Sequence, residues 1–112
     1  MKQNTVRRGK RKAISMYRHG DVLLRRVASV PDGATPMAHC TLATGEATGH
    51  SHTIPHGAVQ YLHDTQQYVH VTGESADLVH QEHSTIRLQG PAVYLVVHQR
   101  EYSPVANRAV MD

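Results

Sequence analysis

The sequence predicts an all-β chain, a small single-domain β-barrel or a jelly-roll-like sandwich. Three observations predict it. Turn signals recur about every 8 to 12 residues, the spacing of sandwiches and barrels rather than of alternating strands and helices. No stretch carries a sustained helical stripe of apolar residues. Valine is plentiful and the aliphatic runs are short, as strands prefer.

In chain order, GDVLLRRV (20–27) reads as the first strand, and PDGATP (31–36) is a turn cluster. HCTLATGEATGHSHTI (39–54) reads as a strand, a glycine-marked bend and a second strand. AVQYLHD (58–64) and QYVHVTG (67–73) are two strands joined around residues 64–66. ADLVHQEHSTIRLQG (76–90) and AVYLVVHQREYSP (92–104) complete the set, with QGP as the turn between them. One short helical turn is expected after Pro104. The length, 112 residues, fits one domain. Its core has no Trp or Phe and relies on Val, Leu, Ile and five tyrosines, Tyr17, Tyr61, Tyr68, Tyr94 and Tyr102. So thin a core gains from subunit association, and a homo-oligomer is expected.

The net charge of +3 conceals an asymmetry. Lys2, Arg7, Arg8, Lys10, Arg11 and Lys12 precede every acidic residue, which leaves six basic residues against nine acidic ones in the body, a net of −3. Residues 1–13 therefore read as a basic, disordered tail and residues 14–112 as the β domain. A solvated tail is one reading, and contact with nucleic acid or another polyanion is the other. The single cysteine, Cys40, excludes an intrachain disulfide and a Cys-rich zinc site, and fits a reducing compartment. No apolar run is long enough to span a membrane, and no apolar segment follows the basic start as in a secretory signal. A cytoplasmic protein without a membrane partner is expected.

The histidines carry the functional signal. TGHSHTIPH (48–56) holds three, and VHQEH (79–83) holds two around a glutamate. On a strand, alternate residues share a face, so His50 and His52 lie with Ile54, on the side more apt to face inward. A His-x-His pair is half of a metal site, with imidazole nitrogens binding at about 2.0–2.1 Å. His80, Glu82 and His83 are the donors to complete it. A regular strand would turn His83 away from His80, so their convergence requires a bend or bulge near residues 81–84. The expected ligands are His50, His52, His80 and His83. An imidazole set suits zinc, with iron, manganese, nickel or copper as alternatives, rather than calcium or magnesium. A metal-free cluster, acting as a pH switch or a hydrogen-bonded catalytic set, is the rival reading.

Glu82 is the candidate general base or ligand-orienting group, and Tyr102, near Tyr94 and His98 at the end of the last strand, is the second candidate catalytic residue. Glu46 shares parity with His50. Cys40 is a weak nucleophile candidate without a placed base. TGEATG (44–49) lacks the lysine and following helix of a phosphate loop.

GDVLL, GEATGHSH and HQEHSTIRLQG…QREYSP together resemble a group of small, uncharacterised bacterial and phage proteins with TGHxH, HxEH and QREY motifs. More distantly, the chain resembles cupin and other jelly-roll metalloproteins. They place a His-x-His pair on one strand and a further histidine on a later one. That likeness implies a jelly roll, with His50 and His52 as the pair and His80 or His83 as the late histidine. Two function classes follow. One is a metal-dependent lyase or hydrolase that hydrates or hydrolyses a small-molecule electrophile with metal-bound water, carbonic-anhydrase-like hydration being one candidate. The other is a non-catalytic metal- or ligand-binding and sensing module whose tail contacts a polyanion.

Overall fold

The computed structural model describes residues 12–45 and 49–98. Among them there is no helix. The strands are β1 (Met16–His19), β2 (Val22–Val27), β3 (Thr35–Pro36), β4 (Thr41–Thr44) and β5 (Ser51–Thr53). They continue with β6 (Ala58–His63), β7 (Gln66–Val71), β8 (Ser75–Leu78), β9 (Ile86–Gln89) and β10 (Ala92–His98). The helical turn expected after Pro104, and the tail apart from Lys12 and Ala13, lie outside the described residues.

Six strands form one antiparallel sheet in the order β1-β2-β10-β7-β6-β3. The hairpins β4-β5 and β8-β9 form two small sheets. β10 is central, and its near-continuous apolar run has a reason: both faces are covered. Tyr94 and Val96 face one way, with Val22 and Leu24 of β2 and Val69 and Val71 of β7 in the main core. The small sheets cover this face with Leu42, Ile54, Ala76, Leu78 and Leu88. Val93 and Leu95 face the other way, in a second cluster with Tyr68. Full burial of each large aliphatic side chain contributes about 1.5–3 kcal/mol.

The packing is sandwich-like, and the sheets do not close into a barrel. The large sheet ends at β3, a two-residue strand that contains Pro36. Proline has no N–H to extend a ladder, so the edge stays open.

The first strand differs from expectation. Residues 20–27 do not run as one strand. The chain reverses at Gly20 and Asp21, and His19 pairs with Val22. Gly20 has φ of +66°, as at the first central position of a type II′ hairpin turn. β1 had no expectation of its own.

Two tyrosines hold the return from β9 to β10. Tyr17 Oη accepts the Gln89 N–H at 3.0 Å, and Tyr94 Oη donates to the Gln89 carbonyl at 2.7 Å. Tyr94 is fully buried, so its hydroxyl needs this partner. No helix among the described residues is long and apolar enough to cross a membrane.

Candidate metal centre

Three pieces of chain build the site: the β1-β2 turn, β5, and the connection between β8 and β9. The last leaves the extended form after Leu78 and resumes it at Ile86, with a bend at residues 81–83 where the sequence reading requires one. β5 is tied to it. Thr53 N–H donates to the Val79 carbonyl at 3.0 Å, and Val79 N–H donates to that of Thr53 at 2.9 Å. Ser51 N–H donates to Gln81 Oε1 at 3.0 Å. His52 is thus set beside His80 by the main-chain pair at Thr53 on one side and the bond from Ser51 to the Gln81 side chain on the other.

His52, His80 and His83 converge, each offering a ring nitrogen within 4.8 Å of the others'. His52 is 5% exposed. Its ring centre lies 4.4 Å from that of His80, and His80 lies 4.4 Å from His83. His52 and His83 stack at 22°. His50, the expected fourth ligand, precedes β5 and stands outside this group of three. Its ring centre is 5.5 Å from that of His80, and its Nδ1 is 3.6 Å from Glu82 Oε2. His50 and His52 wall the same cavity, as strand parity expected, but His50 stands at its edge rather than in the group of three. Glu82 is exposed at the rim, and Tyr102 and Glu46 lie outside the described residues.

Two groups join the site that sequence reasoning missed. His19, 2% exposed, places Nδ1 2.9 Å from His52 Nδ1 and Nε2 2.9 Å from the Ser84 carbonyl oxygen. Asp21 places Oδ1 3.7 Å from His52 Nε2. The available signal was the Gly-Asp pair between MYRH and VLLRRV, a hairpin cue that would have put His19 on a strand of its own.

A cavity of about 370 Å³ opens over the cluster, walled by His50, His52, His80, His83, Asp21 and Glu82 among others. Burial makes charge costly here. It pushes the His52 pKa down to about 4, and neighbouring His80 and His19 push the same way while Asp21 opposes them. His19 is lowered too, first by burial and against the pull of the Ser84 carbonyl. His80 is lowered by desolvation, His83 and His50, with Glu82 and Asp21 opposing. At neutral pH these rings are uncharged, the form in which an imidazole can bind a metal.

His80 has a constraint of its own. Its Nδ1 accepts N–H bonds from Glu82 at 3.0 Å and His83 at 3.3 Å. The neutral ring therefore carries its proton on Nε2. Cys40 is buried, and burial pushes its thiol up to about 11, which disfavours the thiolate that a nucleophile needs.

No curated protein and no solved structure matches the chain. A family model does match it, over residues 18–99, a span that includes every described residue of the site. The chain belongs to the family of the domain of unknown function DUF8820.

Proposed function

We propose that the chain binds a divalent transition-metal ion through His52, His80 and His83, zinc first, and uses it to activate water against a small electrophile. The observation that carries this is the convergence of three ring nitrogens within 4.8 Å of one another. Ligands at 2.0–2.1 Å on a tetrahedral ion stand about 3.4 Å apart, so the rings must draw closer and His80 must free a ring nitrogen to close the set. Neutral imidazoles suit zinc, iron, nickel or copper, and manganese less well; calcium and magnesium take oxygen ligands instead.

Three protein ligands leave one coordination position for water, and the cavity that the three rings line gives solvent access to them. A zinc-type ion lowers the pKa of bound water to about 7. Glu82 and Asp21 supply carboxylates at the rim to take or orient a proton. Hydration or hydrolysis is the reaction class, with carbon dioxide, an ester or an amide as candidate substrates. Iron or manganese in the same site would favour oxygen chemistry. The lone buried thiol supports a reducing, cytoplasmic setting.

One observation favours a second reading, a non-catalytic metal-binding or sensing module. Asp21 Oδ1 and His52 Nε2 are 3.7 Å apart, close to the spacing of two ligands on one ion, and a fourth protein ligand would close the shell.

Elemental analysis of protein purified without added metal tests the first step, with about one ion per chain expected. Protein that holds no metal and takes up none at neutral pH would overturn both readings. Zinc titration of Asp21→Asn separates them. Unchanged affinity leaves the fourth position to water, and a loss of tenfold or more gives it to Asp21.

A further inference from the structure

The bonds behind His52 run in one direction only. The Ser84 carbonyl oxygen can only accept, so His19 Nε2, 2.9 Å away, is the donor and carries a ring proton. His19 is 2% exposed and faces the rings of His52, His80 and His83, a buried setting that favours the neutral ring. A neutral ring with its proton on Nε2 has its lone pair on Nδ1. His52 Nδ1 lies 2.9 Å from that lone pair and must donate to it. The neutral His52 ring then holds its own lone pair on Nε2, the atom on the Asp21 side of the cavity.

We infer that His19, backed by the Ser84 carbonyl, is a positioning residue that fixes His52 as the Nδ1–H tautomer and presents its Nε2 lone pair to the ion. The inference rests on the metal-binding reading proposed above. Metal-bound histidines nearly always donate their second ring N–H to a carboxylate, carbonyl or water, and losing that partner weakens metal binding about 10- to 100-fold. Here the partner is a second imidazole, itself oriented by a carbonyl. His80 is set the opposite way, with Nδ1 accepting two main-chain amides. His52 is therefore the ring with a lone pair already aimed, and His80 must rearrange to follow it.

Two substitutions separate this role from simple packing. Gln at position 19 offers an oxygen and an NH₂ with nearly the span of the two imidazole nitrogens, so it can accept from His52 and donate to Ser84. Leu fills similar space and can do neither. Long-range proton–nitrogen NMR of metal-free wild type at pH 7.5 should find His19 protonated on Nε2 and His52 on Nδ1. Zinc titration should show His19→Leu about 10- to 100-fold weaker and His19→Gln close to wild type. The visible spectrum of cobalt-loaded protein should change in His19→Leu and persist in His19→Gln. His52 found as the Nε2–H tautomer would overturn the inference, as would a folded His19→Leu that binds zinc like wild type. If His19→Leu does not fold, a folded His19→Gln with lost affinity overturns it equally. A wild-type chain that takes up no zinc removes the metal reading, and the tautomer of His52 then decides the relay by itself.

Discussion

At the scale of single residues, Gly20 shows how closely the turn and the rings are packed. A Cβ there would lie 2.6 Å from His83 Nε2 and 3.2 Å from His52 Cε1. The φ of +66° adds strain of about 1–2 kcal/mol for any side chain. Gly20→Ala is therefore expected to lower the thermal midpoint of the metal-free protein and to weaken zinc binding, since His83 must move. Thermal denaturation and zinc titration check the two effects. Unchanged affinity in this variant would mean that His83 is not held against the turn. His19 and Gly20 are neighbours in sequence, yet one orients His52 and the other makes room for His83.

At the scale of elements, the bend between β8 and β9 is the part that metal binding must disturb. The Glu82 and His83 amides bond to His80 Nδ1, and an ion on Nε2 requires the ring proton to move from Nε2 to Nδ1. Both amide bonds are then lost. Zinc should shift the amide resonances of Glu82 and His83 in NMR, and shift those of Thr53 and Val79 less, because these two are paired backbone to backbone. Glu82 and His83 amides that stay put on zinc loading would remove Nε2 of His80 from the coordination set. The same hairpin is anchored from below. Leu88 is fully buried, and Leu88→Ala is expected to cost about 2–5 kcal/mol. Leu62, on β6, is 38% exposed, and its replacement by Ala should cost at most about 0.5 kcal/mol. Denaturant midpoints compare the pair.

At the scale of the whole molecule, the buried histidines link folding to pH. His52 falls from 6.5 to about 4 on folding, chiefly through burial, and His19 and His80 move the same way. Between those values the unfolded chain binds a proton that the folded chain refuses. Stability is thus complete above about pH 6.5 and declines as the pH falls towards about 4. The thermal midpoint of metal-free protein should be level from pH 7 to 8 and drop across that acidic window. A midpoint that rises on acidification would contradict the burial of these rings. Zinc present at a hundred times its dissociation constant should add about 2.7 kcal/mol at neutral pH.

Period-two patterning and turn residues determined the all-β class and the β6-β7 hairpin, because each is written in neighbouring residues, whereas the bend at residues 81–83 was only what the convergence of His80 and His83 would require. Clustering along the chain marked His50, His52, His80 and His83, and three of these four form the group. What clustering cannot do is say which rings meet. His50 and His52 both wall the cavity, yet only His52 joins the group of three, and the β1-β2 reversal brings His19 in from 33 residues away in sequence. The open edge at Pro36, the second buried face of β10 and the place of Asp21 beside His52 all depend on which strands pair. Tertiary structure decided these, because pairing between distant strands is set by the burial of whole faces and not by any local run of residues.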